Sequence, residues 1–413
     1  MPPTLRSPTV GYILVLIPFI LSFFTRFAPG SLAGPLAEEL GFSGAQLGLA
    51  TGTYFYVYTV MQLPAGAIID RIGISWAVGV GTALSAGGLL LYAVAMNLPA
   101  AVTASALIGF GSSTSFLGVL RAIGAWHPAS RFAAMSGTTM LIGNIGSIAA
   151  GGPLASLLSV TTWRGVLAAT AVVSLLSAAA VLLFIRHLPS AVVDRTAGQD
   201  LGAGVGAVLR DRTLIAFALV AVGTNSTFYT FTSLWGTPFL TTTGIASATA
   251  ATVISVALLV YGVTSLAVGR FCDAHGREPA TMVVVSAVGV VGWVAVLIAA
   301  QVTGAAAAAT VGMLLAAVAA GSVVVVFSMV NDHTGARGGA AALAVVNGAV
   351  FLVVAVLQQV VGWLVDIGDG RPQSYAIGIA LVAAVATIGL GFALRIGVVA
   401  RRVDASVGAM TRA

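Results

Sequence analysis

The chain has no lysine, and all 18 basic residues are arginine. A Walker-type phosphate loop needs that lysine, and so does a Schiff base with retinal or pyridoxal phosphate, so the chain itself supports neither chemistry. Cysteine is nearly absent. Cys272 stands alone, which rules out an internal disulfide, and it reads as an incidental loop thiol on the inner side. The four histidines, His127, His187, His275 and His333, fall far apart without ligand spacing. No nucleophile–base arrangement stands out, so no enzyme, cofactor or metal site is expected. Charge is scarce as well, at 7% of residues against 59% hydrophobic, with mean hydropathy +1.06. Most of such a chain cannot face water.

A bilayer core about 30 Å thick takes roughly 20 apolar residues per helix. Lipid also forces backbone groups to pair within each segment, which makes helices the default. Long apolar runs, not the short alternating stretches of a barrel, give twelve spans near 10–36, 44–66, 75–96, 99–122, 132–156, 165–186, 213–238, 247–268, 280–301, 304–329, 339–363 and 374–396. The one long polar interruption holds Arg186, Asp194, Arg195, Gln199, Asp200, Arg210, Asp211 and Arg212. The organisation expected is a six-helix bundle over 1–186, a cytoplasmic linker over 187–212 and a second bundle over 213–413. An all-α membrane protein in two pseudo-symmetric halves follows.

With both termini cytoplasmic, the inner side receives every arginine except Arg26, Arg164 and Arg371, which is the positive-inside pattern. Spread over loops, these residues explain the +6 net charge without nucleic acid. A bacterial inner-membrane location is expected. The apolar stretch after Arg6 lacks a small-x-small cleavage site and is needed for the twelve spans, so it reads as an uncleaved helix.

Two short stretches repeat one pattern. Gly66 precedes Asp70 by four and Gly73 follows it by three; Gly269, Asp273 and Gly276 repeat that spacing 203 positions on, about half of 413. Tyr58 and Tyr261 share the same offset. Matching charged turns in two fused copies suit a two-fold transporter. The acids avoid the membrane centre. Glu38, Glu39, Asp366 and Asp369 fall outside, while Asp70, Asp194, Asp200, Asp211, Asp273, Glu278, Asp332 and Asp404 fall inside. Proton-coupled carriers usually keep a buried carboxylate. Here coupling uses another group, transport is uniport, or Glu38 or Asp332 reaches the cavity.

The paired turns, the twelve spans and the mid-chain linker together resemble the major facilitator superfamily over essentially the whole chain. Ile74-Ser75 departs from the family's basic pair after the first turn, and Ala274 stands where the first copy has Arg71. The resemblance implies that Gly66, Asp70, Arg71 and Gly73, with Asp273 and Arg277 as the weaker counterpart, gate the inward side through charge contacts with a neighbouring helix end. Glycine permits the tight turn, and a carboxylate can meet a helix N-terminus or an arginine. A merely solvated turn is the alternative.

The run from Arg26 to Ser43, then Met61 to Gly66, is similar to organic-anion and sugar-phosphate carriers. That similarity implies that Arg26 contacts an anionic group of the solute. Tyr54-Phe55-Tyr56, Trp126-His127-Pro128 with Arg131-Phe132, and Leu234 to Leu240 resemble the bacterial phagosomal-transporter branch, associated with uptake of amino acids and nucleosides. Thr25, Ser105 and Ser112 stand where anion:proton symporters carry an aspartate, an arginine and a glutamate. Gly143, Asn144 and Gly146, then Gly151-Gly152-Pro153, do not match the antiporter order of span five. Drug:proton antiport is disfavoured on both counts.

Arg26 is the sharpest single residue. If span one ends near Ala28 it snorkels to the interface; if the helix continues to Leu36 it sits nearer the centre, at a cost of about 2.5–3.5 kcal/mol that calls for a partner. A carboxylate or phosphate on the solute would serve. Tyr54, Tyr58 and Gln62 share one helix face and suit a cavity wall, with Tyr261 at the equivalent place of span eight. Aromatic packing between helices is the alternative. Asn225, Tyr229 and Thr232 form one stripe, and Asn347, Phe351 and Gln358 another. Amides avoid lipid, so these line a cavity or join helices. Asn144 is a weaker case, and Arg121 either guards the inner vestibule or snorkels. Fifty glycines allow close helix approach without specifying function.

The expected function is secondary transport of a small polar solute, a carboxylate or amino acid, by a monomeric symporter or uniporter through a midplane site. Uptake is favoured over export. Efflux of amphipathic compounds, or a non-transporting sensor of the same fold, are the alternatives.

Overall fold

The computed structural model describes residues 7–128, 131–185, 206, 208–302, 304–368 and 372–410. Most of the expected linker, with Arg186, Asp194, Arg195, Gln199 and Asp200, lies outside the described residues, as do His187, Asp369 and Arg371. The described chain is helical: α1 (Pro8–Leu40), α2 (Gly44–Ala93), α3 (Leu98–Trp126), α4 (Phe132–Ala149), α5 (Gly152–Leu157), α6 (Trp163–Phe184), α7 (Arg212–Thr242), α8 (Ser247–His275), α9 (Glu278–Ala299), α10 (Ala306–Gly321), α11 (Val323–Ile367) and α12 (Pro372–Met410). Among the described residues 11 stretches are long and apolar enough to cross a bilayer. The remaining expected span, 44–66, is the first part of α2, whose 50 residues far exceed one crossing.

Several helices run past the ends that the sequence suggested. α1 continues through Pro18, Pro29 and Pro35 to Leu40. Neighbouring helices can re-satisfy the carbonyls that proline frees within a membrane. The loop expected between spans two and three shrinks to one residue, Gly73, at φ 83 and ψ 161. Glycine alone takes that conformation without strain. The loop expected between spans ten and eleven is also absent. α11 runs unbroken for 45 residues, and the chain breaks earlier, at Ser322. No proline interrupts Val323–Ile367, so the helical ladder continues. Cys272 is likewise not a loop thiol: it lies inside α8 and is 4% exposed, because its turn packs into the core of the second half.

α1–α6 and α7–α12 form the two halves. They meet through α2 against α11, α4 and α5 against α8, and α1 against α7. A six-helix duplication exchanges the first two of these contacts. The ends bearing Glu39, Gly44 and Asp366 define one face of the molecule; the ends bearing Asp70, Arg121 and Asp273 define the other. On the Glu39 face, Glu39 accepts from Arg164 Nε at 2.7 Å and from Trp163 Nε1, and Arg164 also donates to the carbonyls of Ala93 (2.7 Å) and Ala95 (3.0 Å). This ties α1, α2 and α6 together.

Candidate functional site

Because α1 runs on to Leu40, Arg26 stands about 27 Å from one end and 21 Å from the other at 1.5 Å per residue. It is 5% exposed and is the one buried charged side chain among the described residues. Snorkelling is therefore not what the geometry gives. No carboxylate meets it. Instead the guanidinium lies 5.0 Å from the Phe23 ring centroid, 5.9 Å from Tyr54, 4.6 Å from Tyr58 and 4.8 Å from Phe351. Nε donates to the Tyr54 hydroxyl at 3.3 Å, and the two Nη groups have no hydrogen-bond partner among the described residues.

Magnitudes explain how such a charge is tolerated. Burying arginine at a helix centre costs about 2.5–3.5 kcal/mol, and each ring face returns about 0.5–2 kcal/mol. Four faces are therefore of the same order as the cost. They offset it without neutralising the charge, so a formal +1 remains with its hydrogen-bonding fork free. Three rings come from the first half and Phe351 from the second, so the cage spans the junction of the halves.

Around this cage the rings continue. Tyr54 and Tyr58 stack at 5.8 Å and 12°, and Phe351 stacks on Tyr229 at 5.9 Å and 4°. Tyr229 donates to the Tyr261 hydroxyl at 2.9 Å, joining α7 to α8. Tyr229 sits between two widened i→i+5 turns of α7, Val222–Ser226 and Phe231–Trp235. Hydroxyls support this departure: Thr227 donates to the Gly223 carbonyl (2.9 Å), Thr230 to Ser226 (2.7 Å) and Thr232 to Phe228 (2.9 Å). Such turns relax the ordinary ladder and re-aim the residues between them.

The amides divide into two groups. Asn225 donates to the Ala320 carbonyl and to Thr224 Oγ1, both at 3.2 Å, and Gln358 donates to Ser233 Oγ at 2.7 Å. Both join helices within the second half. Asn144 donates to the Leu258 carbonyl at 2.9 Å, across the halves. By contrast, the Gln62 amide nitrogen is buried without a partner. Asn347, one turn from Phe351, is half-buried with no hydrogen bond among the described residues. Gln62 and Asn347 are the amides of the sequence-derived set without a bond, and the Gln358 Oε1 is likewise buried without a partner.

A cavity beside Arg26, toward the Glu39 face, is walled by Phe24, Leu32, Phe55 and Leu89, with Thr51 and Ser105. Its volume of about 40 Å³ for water-sized occupants holds roughly three or four waters at about 10–15 Å³ each.

The halves are closed toward the Glu39 face. The Gly44 and Ala45 amides donate to Asp366 Oδ1 and Oδ2 at 2.6 and 2.8 Å, so a carboxylate of α11 caps the N-terminus of α2. A Cβ on Gly44 would lie 2.6 Å from the Gly362 carbonyl oxygen, and one on Gly48 would press into that of Gln358. Gly152 donates to Ser255 Oγ at 2.8 Å, and Ser255 to the Ile148 carbonyl at 2.7 Å.

Toward the Asp70 face the halves part. A Cβ on Gly66 would meet nothing, and Asp70, Arg71, Asp273 and Arg277 are exposed. Asp70 bonds Arg121 Nη2 at 3.0 Å inside its own half. Glu38 and Asp332 are exposed and do not reach the cavity.

Sequence reasoning missed Phe23 in the cage and Asp366 in the closed seam. Phe23 had a signal, since it precedes Arg26 by three and shares its face. Asp366 had none, because its partner lies 322 residues away.

Comparison with known proteins agrees with this architecture. An uncharacterized transporter of Bacillus subtilis, YybO, is 31% identical over 111 residues, covering 27% of this chain and 26% of that protein. A protein of Agrobacterium vitis provisionally named a tartrate transporter is 23% identical over 263 residues (58% and 57%). The hexuronate transporter of Escherichia coli K12 is 28% identical over 183 residues (42% and 40%). These matches span from about a quarter to under three fifths of the relatives' lengths.

Among solved structures, a bacterial homologue of the human lysosomal transporter Spinster, inward-facing and unoccupied, superposes with TM-score 0.79 at 15% identity, covering 94% and 97% of the chains. The nucleoside transporter NupG gives 0.72 at 17% identity, covering 93% and 98%. These show the fold. Residues 15–350 match the Major Facilitator Superfamily, and the chain belongs to that family.

Proposed function

We propose that the chain is a secondary transporter of a small organic anion, working by alternating access with Arg26 as the anchor of the solute's negative charge. The observation that carries this reading is a buried guanidinium at the junction of the halves, held by rings and by no anion of the protein. An anionic solute supplies the partner that such a fork lacks, bidentate if it is a carboxylate. Two relatives named for anionic solutes, tartrate and hexuronate, support the same class.

With the arginine-rich Asp70 face cytoplasmic, as the positive-inside rule favours, the state described is open to the cytoplasm and closed outside. In this reading the solute enters between the halves, meets Arg26, Gln62 and Asn347, and displaces Phe351 from the guanidinium. The halves then rock: the seam of Gly44, Ala45 and Asp366 opens, and Asp70, Arg71, Asp273 and Arg277 come together on the inner side. Coupling draws on no buried carboxylate among the described residues.

The test is counterflow in proteoliposomes of the full chain with a panel of labelled carboxylates, amino acids, nucleosides and sugar phosphates. Saturable exchange of an anion, blocked by charged analogues and indifferent to the corresponding neutral amide, is expected. Exchange of neutral solutes alone would refute the anion reading.

A further inference from the structure

Resting on the anion reading above, we infer that the solute is a monocarboxylate with a flat, aromatic body rather than a polyhydroxylated acid. The first ground is charge. Arg26 is the one buried charged side chain among the described residues, so the site balances one negative charge. A dicarboxylate would bring a second charge into lipid-depth surroundings without a partner, which is costly.

The second ground is the hydrogen-bonding inventory. A polyol needs a donor or acceptor for each hydroxyl, because a buried polar group left unpaired costs about 1–3 kcal/mol. Most of the candidate groups are already committed. Tyr54 accepts a hydrogen bond from Arg26 Nε, Tyr229 donates to Tyr261, Asn225 donates to a backbone carbonyl, and Gln358 Nε2 donates to Ser233. Gln62, Asn347, the Tyr58 hydroxyl and the buried Gln358 Oε1 remain, fewer groups than the hydroxyls and ring oxygen of a sugar acid need.

The third ground is shape. The faces presented around the guanidinium are flat. Tyr54 and Tyr58 lie 12° apart, Phe351 and Tyr229 lie 4° apart, and Phe55 stacks on Phe351 at 5.9 Å and 20°. Phe351 itself already occupies the guanidinium's face at 4.8 Å. With the carboxylate in the free fork, the ring attached to it projects away from Arg26 in the plane of the guanidinium, where Phe351, moved off the guanidinium, stacks on it. This keeps the offset stacking that aromatic pairs prefer. The adjoining cavity continues the apolar lining, with Phe24, Leu32 and Leu89. Phe351 thereby becomes a specificity-determining residue, selecting ring-bearing anions over aliphatic ones.

The experiment follows thermal unfolding of the purified full chain with benzoate, cyclohexanecarboxylate, glucuronate and tartrate at equal ionic strength, taking affinities from the concentration dependence of Tm. Benzoate and cyclohexanecarboxylate match in charge and differ in planarity. Benzoate is expected to bind about two- to tenfold tighter than cyclohexanecarboxylate, the range that one aromatic pair supplies. Glucuronate and tartrate are expected to be weaker than both. In Phe351→Leu the preference for benzoate over cyclohexanecarboxylate should vanish while both still bind. If that variant does not fold, the wild-type order of the four affinities decides alone. Glucuronate or tartrate binding tighter than benzoate would overturn the aromatic assignment and leave the anion reading standing. A wild-type protein unmoved by all four anions would overturn the aromatic assignment, and counterflow of neutral solutes alone would overturn the anion reading.

Discussion

Arg26→Gln is expected to abolish anion counterflow while leaving a folded protein. Removing one member of a buried charge pair typically costs about 3–5 kcal/mol, or roughly two to four orders of magnitude in affinity. Here the other member is the solute, so the loss appears in binding rather than in folding. Stability should move little or rise, because the substitution also removes the burial cost of an arginine that has no protein counter-ion. Arg26→Lys retains the charge and loses the planar fork and its fit against Tyr58 and Phe351, so an intermediate defect is expected. Thermal shift with the anion and counterflow on the same preparations separate the two effects. A Gln variant that exchanges anions at the wild-type rate would remove Arg26 from the mechanism.

The second large effect concerns closure. Gly48→Val should hold the Glu39 face apart, because even a Cβ there presses into the Gln358 carbonyl. Overpacking costs of about 1–3 kcal/mol shift the equilibrium against the closed form by roughly 5- to 150-fold. Transport should fall accordingly while anion binding survives, since Arg26 and its N-half rings lie elsewhere. Spin labels placed on α2 and α11 at the Glu39 face should report a longer separation than in the parent protein. Asp366→Asn should act in the same direction and more weakly. It weakens the charge-assisted bonds to the Gly44 and Ala45 amides and leaves the helices free to approach. Unchanged separation and flux in Gly48→Val would mean that this contact does not limit the cycle.

Much of the fold was legible because lipid imposes a periodicity that a sequence cannot hide. The apolar runs, the paired Asp70 and Asp273 turns and the arginine bias are local signals, and the twelve-span architecture rests on them. The helix ends were not legible in the same way. Whether α1 stops near Ala28 or continues to Leu36 was open from the sequence; the helix passes Pro29 and Pro35 to reach Leu40, and that passage decides where Arg26 sits.

The site was half legible. Arg26, Tyr54, Tyr58, Tyr229 and Tyr261 declared themselves by type and spacing, and the structure brings them to one place. What an amide does there depends on partners far away in the chain. Asn225 finds the carbonyl of Ala320 and Gln358 finds Ser233, whereas Asn347 and Gln62 remain without partners, and nothing local distinguishes the pairs. Asp366 reads as a loop acid until α2 arrives beside it.

The most direct test of the central claim is the structure of the full chain bound to an anion that stabilises it in the thermal-shift panel. The account predicts density for the anionic group within about 3 Å of the Arg26 Nη atoms, as charge-assisted hydrogen bonds require, with the Phe351 ring moved off the guanidinium. Density at Arg71, Arg121 or Arg277 instead, with the four rings still closed over an unliganded Arg26, would contradict it.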